Sequence, residues 1–302
     1  MTSEIESRSE ERVAIVGAGA MGSALGRALV AAGISVTAVA SRTQAHAERL
    51  AAVLPGARPV AVPEAAGAVS IVLLTVSDSA IEEASERLEA PDGVLVAHAS
   101  GSRDVTALEA ARARGADVGG FHPLAAVARG GVVLPPERSP FVGGVFAVEG
   151  DDRVARRLSD LATGLGGYPF RIAAADKPRY HTGASMLAAF AAGLAQISWE
   201  QILHASGSRE TASRGVAHLL ATVADNIGRA EEPAAVQTGP VARGDPAGVT
   251  RQAAAARALS DDAHELYRAH ALHSIALARG AGAISAAVAE RLRAALREDE
   301  AT

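Results

Sequence analysis

The sequence predicts an α/β protein: a doubly wound, mostly parallel sheet followed by an all-helical C-terminal domain. Three observations carry this expectation. Short apolar runs alternate with helical patterns through the first half of the chain. A glycine-rich turn, Gly17-Ala18-Gly19-Ala20-Met21-Gly22, joins the first run to the first helix. From Asp176 onward strand patterns vanish and long helical ones take over.

Residues 1–11 read as a flexible tail, 12–174 as the sheet domain and 175–298 as the helical one. A chain of 302 residues suits two domains of roughly 100–200 residues each. Val13–Val16 has the unbroken apolar character of a strand buried on both faces. Ser23–Ala32 reads as helix, with Gly33 where a left-handed glycine ends one. Strand Ile34–Ala40 and helix Gln44–Val53 follow. Ser70–Val76 is a fully apolar strand. Ser79 and Glu82 have capping-box spacing for a helix to Leu88, and Asp78 reads as a cap beside them. Strand Gly93–Ala99, helix Thr106–Arg114 closed by Gly115, and strand Val118–Phe121 running into His122-Pro123 continue the alternation. The proline-rich stretch Leu134–Pro140 interrupts it. Phe141–Val148, helix Asp152–Thr163 and Tyr168–Ile172 form one more β–α–β piece at the far edge.

In the helical domain, Lys177–Ala205 is one long helix stopped at Gly207, and Arg209–Asn226 a second stopped at Gly228. After a polar linker, Asp245-Pro246 starts a helix with proline in its first turn. Ser260 caps another to Arg279, and Ser285 a last one to about Arg297.

Composition excludes several functions. Hydrophobic residues make up 49% and charged ones 21%, enough apolar mass for a sizeable core. Net charge is −5, aromatics are 3%, and there is no basic run, so no nucleic-acid partner is expected. The absence of cysteine removes disulfides, thiolate nucleophiles and thiolate metal sites. The opening MTSEIESRSEER is polar and does not form a secretory signal, and no apolar run reaches the roughly 18–20 residues of a membrane span. A cytoplasmic protein with no membrane partner is expected. HExxH and GxSxG are absent, and His46, His204, His218, His264, His270 and His273 lie scattered without ligand spacing, so no metal is expected.

The glycine turn carries the strongest functional signal. It follows a strand and opens a helix, the context in which GxGxxG binds a dinucleotide. Gly17 permits the tight turn, Gly19 lets backbone approach a pyrophosphate, and Gly22 lets helix and strand pack closely. The helix start adds free N–H groups and a positive dipole end. At the end of the second strand, where NAD binders carry an acid, the chain reads Ser41-Arg42-Thr43. An arginine between two hydroxyls suits a 2′-phosphate, so NADP(H) is the expected cofactor. Ser41 also has the option of capping the next helix, leaving Arg42 on the surface. Val76 and Ser77, after the third apolar run, are expected to lie along the cofactor.

Four further stretches could carry chemistry. In His98-Ala-Ser100-Gly101, His98 shares a strand face with Val94 and Val96, so packing and function stay open, while Ser100 lies beyond the strand end where a hydroxyl could reach substrate. His122, fixed by the proline after it, is a candidate donor or a structural histidine bonded to a loop carbonyl. Lys177 and His181 are four apart on one face of the long helix, with Tyr180 on the adjacent flank. A lysine at that end opposes the helix dipole and needs another justification. Thr238-Gly-Pro-Val-Ala-Arg243-Gly-Asp245 reads as a rigid loop whose hydroxyl and guanidinium suit an anionic substrate group; Asp245 could also cap the next helix with Arg243 paired to it.

With these motifs in hand, the chain resembles the two-domain bacterial proteins that join a Rossmann-like domain to the domain of unknown function 2520. They are relatives of NADP oxidoreductases, ketopantoate reductase and prephenate dehydrogenase. The resemblance covers about Arg12 to Leu296 and rests on VAIVGAGAMGSAL, HASGS, GGFHPLAAV, DKPRYHTGAS and TGPVARGD. It implies a Rossmann sheet, a C-terminal domain of the 6-phosphogluconate dehydrogenase kind, and a homodimer. Two departures stand out: Ala125-Ala126-Val127 follow the HPL, and Leu187–Phe190 offers no asparagine where related dehydrogenases carry one after the lysine.

Residues and resemblance together lead to an NADPH-dependent oxidoreductase. It would pass hydride to a carbonyl or imine of a small acidic substrate, with a 2-oxo acid such as ketopantoate implied by the resemblance alone. Lys177 or His181 would donate the proton, His122 and Ser100 would orient the substrate, and Thr238 with Arg243 would hold its carboxylate. Two alternatives remain: a dehydrogenase of the prephenate or arogenate type, and a non-catalytic NADP-binding sensor or scaffold.

Overall fold

A computed structural model of the protein describes residues 11–127 and 138–298. The sequence-based expectations for the tail and for most of the Leu134–Pro140 stretch lie outside them. The chain divides into two compact units, Met1–Ala189 and Phe190–Thr302.

The first unit is built on an eight-stranded sheet in the order β3-β2-β1-β4-β5-β6-β7-β8. Its strands are β1 Arg12–Val16, β2 Ser35–Ala40, β3 Arg58–Val60, β4 Ile71–Leu74, β5 Leu95–His98, β6 Asp117–Pro123, β7 Val145–Glu149 and β8 Tyr168–Arg171. All neighbours run parallel except β6 and β7, which are antiparallel. The unbroken apolar runs are explained by burial on both faces. Val13 and Ile15 enter one core cluster with Leu25, Leu50 and Phe121, while Ala14 and Val16 enter the other with Leu74, Val96 and Leu108. Helices α1 Ala20–Ala31, α2 Gln44–Ala51, α3 Ile81–Arg87, α4 Glu109–Arg112 and α5 Asp152–Gly164 complete this layer. The order reverses between β1 and β4, and a crevice outside the carboxyl ends of strands at such a switch point is where open α/β sheets bind ligands.

Several elements differ from the sequence-based expectation. Strand β3 has three residues, including Pro59, and pairs only with β2; proline is tolerated at such an edge, but three residues carry no periodic signal. The expected helix Thr106–Arg114 splits into a 3₁₀ turn, Val105–Leu108, and α4, with Asp104 accepting from Thr106 N at 2.9 Å as its cap. The Ser79–Glu82 capping box does not form, because a 3₁₀ turn at Asp78–Ala80 precedes α3; Ser79 Oγ meets Ser77 Oγ at 3.3 Å instead. The run from Phe141 becomes strand only at Val145, beyond a turn whose Gly143 has φ +73°.

The second unit is helical. Helix α6, Lys177–Ser206, begins in the first unit and ends in the second. It is followed by α7 Arg209–Arg229, α8 Gly239–Ala242, α9 Pro246–Leu259, α10 Asp261–Gly280 and α11 Ala286–Glu298. Gly207 ends α6 with φ +65°, but Gly228 does not end α7; its backbone stays helical. Asp245 and Ser260 accept from Gly248 N and Ala263 N, each at 3.0 Å, as their positions predict. Val249, Ile275, Leu292 and Leu296 form the core of α8–α11. None of the described helices is long and apolar enough to cross a membrane.

Candidate functional site

At the switch point the first unit carries a cleft of about 600 Å³. Gly17 has φ +115°, and its N–H donates to Ala40 O at 2.8 Å, so the turn is tied to β2. Gly22 lies so close beneath the turn that a Cβ there would meet Gly17 O at 1.9 Å. Gly19, at the N-cap of α1, has nothing within 4 Å of where a Cβ would stand, so the turn is open above it. No side chain caps α1 and no acid sits in its first turn, which leaves its N–H groups facing the cleft.

Of the cofactor residues expected from sequence, Gly17, Ala18, Gly19, Ala20, Ser41, Arg42, Thr43, Val76 and Ser77 line this cleft. Met21 is not among its lining residues and packs half-buried on the core. Ser41 does not cap α2; the cap position is Thr43, and no side chain bonds the helix N–H groups there. The lining also includes His46, Arg49 and Arg87. His46 and Arg49 are three apart on α2 and share the helical face that meets the cleft, a spacing visible in the sequence; Arg87 comes from α3 and carries no such local signal.

Beyond Ser77 the chain enters a second cluster. His122 Nδ1 lies 2.9 Å from Tyr180 OH, the two rings meeting edge-on at 5.5 Å. The His181 ring stands 6.0 Å from His122. Both imidazoles close over Gly101: a Cβ there would meet His181 Nδ1 at 2.7 Å and His122 Nε2 at 2.8 Å. His181 Nδ1 is buried with no hydrogen-bond partner among the described residues. Burial, then the charges of His181 and Lys177, push His122 down to about 4, with Asp78 opposing them. It is therefore neutral near pH 7. Burial pushes Tyr180 up to about 12, so it keeps its proton.

Asp78 is not a helix cap. Its carboxylate accepts from Ser102 Oγ and lies in the field of His181. Burial alone would raise its pKa; bonds from Ser102 and Ser100 and the nearby His181 and His98 together lower it. His98 is fully buried and structural in its bonding. Ser100 N donates to Nδ1 at 3.2 Å, which assigns the proton to Nε2 and its bond to Asp104 O at 3.1 Å. Burial, then Lys177, lowers it to about 4. Ser100 Oγ accepts from Ser102 N at 3.2 Å and Arg103 N at 3.0 Å, folding the loop on itself.

Lys177 differs most from its expected role. It is 2% exposed, its Nζ lies 2.7 Å from Glu149 Oε2, and it donates to Arg103 O. Its distance from solvent and its two partners leave it held rather than presented. Glu149, which sequence reasoning missed, supplies the justification that a lysine at a helix N-terminus requires. Thr238 and Arg243 lie in the second unit, exposed at the two ends of α8, so the expected rigid loop is a short helical turn. Asp245 pairs with Arg251 at 3.7 Å rather than with Arg243.

Residues 2–123 match the family described as a Rossmann-like domain, and residues 144–274 match a domain of unknown function, DUF2520. A search of curated proteins finds no match. Among solved structures, the fold is similar to a Bacteroides fragilis protein assigned as an NADP oxidoreductase: 21% identity, TM-score 0.72, covering 88% of this chain and 98% of that one. It is similar also to a Thermotoga maritima protein: 22% identity, TM-score 0.66, covering 89% and 98%. A Plasmodium falciparum pyrroline carboxylate reductase with NADP bound shares 13% identity at TM-score 0.54, covering 97% and 98%. At these identities the likeness is one of fold.

Proposed function

We propose that this protein, a chain that joins a Rossmann-like domain to a DUF2520 domain, is an NADPH-dependent oxidoreductase acting on a carbonyl or imine of a small carboxylic acid. The observation that carries this is an open glycine turn with a cationic rim on the same unit as an imidazole–phenol cluster, with Asp78, bonded to Ser102, directly following the cleft-lining Ser77. The residues fit the cofactor. Gly19 leaves room for a pyrophosphate against the N–H groups of α1. Ser41, Arg42, Thr43, His46 and Arg49 would surround a 2′-phosphate, and no acid at the end of β2 opposes it.

When bound, NADPH supplies the hydride. Asp78 lies in the field of His181, which donates the proton to the substrate heteroatom as charge develops there. His122, neutral and bonded to Tyr180, orients that atom above Gly101 and excludes water. Lys177 gives way to His181 as donor because its ammonium is buried against Glu149. The fold shared with a pyrroline carboxylate reductase supports an imino or oxo acid as the substrate class. Apolar side chains exposed along α6 and α7, among them Leu187, Phe190, Leu219 and Val223, support a homodimer, and absence of cysteine supports a cytoplasmic setting.

NADPH oxidation followed at 340 nm across a panel of 2-oxo acids and cyclic imino acids tests the proposal. Turnover with at least one panel member, lost in His181→Gln, is expected. Tight NADPH binding with no oxidation across the panel would instead identify a nucleotide sensor.

A further inference from the structure

The ion pair between Lys177 and Glu149 is buried on both sides, at 2% and 8% exposure. Desolvation offsets most of the Coulomb gain in such pairs, so stability alone does not explain it. Its geometry suggests another role. Glu149 is the cross-strand partner of Gly120 in the antiparallel β6/β7 ladder. A Cβ at Gly120 would stand 3.1 Å from Lys177 Nζ and 3.2 Å from Glu149 Oε2, so glycine there makes room for the pair. Gly120 and His122 are two apart on β6 and share a face. Two residues of strand advance about 6.6 Å and one helical turn about 5.4 Å. Pinning Lys177 over Gly120 therefore sets the next turn of α6, with Tyr180 and His181, over His122.

We infer that Glu149 and Lys177 form a positioning pair for the proposed active site, locking the first turn of α6 onto β6 so that Tyr180 and His181 meet His122. The inference rests on the reductase reading for its consequence but not for its geometry. The pair acts through His122 and touches no substrate. Its electrostatic effect is local: Lys177 and His181 from α6 hold His122 neutral, Asp78 opposes them, and Tyr180 bonds its Nδ1. His98 on β5 feels Lys177 as well.

Ring-proton NMR titration of the full-length protein tests this without substrate or cofactor, with His122 assigned by His122→Asn. The double variant Glu149→Leu/Lys177→Met exchanges the pair for apolar groups of similar size. Its His122 midpoint is expected to rise by about half a unit or more toward the ordinary imidazole value, with loss of the His122–Tyr180 contact. A midpoint and contact like those of the parent overturn the inference. If the double variant does not fold, Glu149→Asp, which keeps the charge but shortens its reach, is titrated instead; a displaced midpoint supports the pair's role and an unmoved one overturns it. NADPH turnover read in parallel separates the two failures. An unmoved midpoint in an active reductase sinks only the pair, and a moved midpoint in a protein inactive on every substrate sinks only the reductase.

Discussion

His122 and Tyr180 meet across 58 residues of chain, imidazole Nδ1 to phenol oxygen at 2.9 Å with the rings perpendicular. A sheet strand and the first turns of a helix thereby share one hydrogen bond, and His181 completes the cluster one residue later. Tyr180→Phe removes the bond while keeping the ring. We expect kcat to fall about tenfold or more, with NADPH affinity unchanged, measured by steady-state kinetics and fluorescence titration. His181→Gln, which removes the donor itself, is expected to cost about 10²-fold or more in kcat.

The glycine turn separates folding from binding. Gly22→Ala places a methyl against Gly17 O and should cost about 1–3 kcal/mol or more in stability, read as a lower thermal midpoint. Gly19→Val meets open space, so its midpoint should stay near that of the parent while NADPH affinity falls at least about tenfold. Equal loss of stability in both would show that the turn is only structural.

Stability should depend on acid pH through two imidazoles, His98 fully buried and His122 partly so. His98 and His122 both titrate near 4 in the folded chain, below the ordinary imidazole value. The unfolded chain therefore binds more protons between about pH 6.5 and 4. Stability is full above that window and falls as pH drops through it. His98 alone accounts for about 3 kcal/mol by its lower limit. Denaturant unfolding at stepped pH should show this slope, and His98→Gln should flatten it. A parent protein equally stable at pH 7 and 4.5 would contradict the burial argument.

How much of this was legible in the residues depends on range. The glycine turn, the apolar strands and the caps at Asp245 and Ser260 are signals carried within a few positions, and β1, α1 and the later helices follow them. The β7–α5–β8 edge was legible, but its antiparallel join to β6 was not, because strand direction depends on a connection rather than a pattern. The spacing of Lys177 and His181 put both on one face of α6. It did not reveal Glu149, which lies 28 residues away and pairs only through the β6/β7 register. His98 and Ser100 looked equally fit for chemistry and for packing; the backbone of the loop at 100–104 takes up their polar atoms.

The cationic rim predicts coenzyme choice. Arg42→Ala should weaken NADPH binding about tenfold or more while leaving NADH nearly unaffected, since the guanidinium would face only the 2′-phosphate. Arg49→Ala should act in the same direction with a smaller effect. Isothermal titration with each coenzyme reads both.

The most direct test of the account is the affinity of the unmodified protein for the two reduced coenzymes, titrated side by side at physiological ionic strength. We predict saturable binding of NADPH at least about tenfold tighter than NADH. Absence of binding by either, or a preference for NADH, would contradict it.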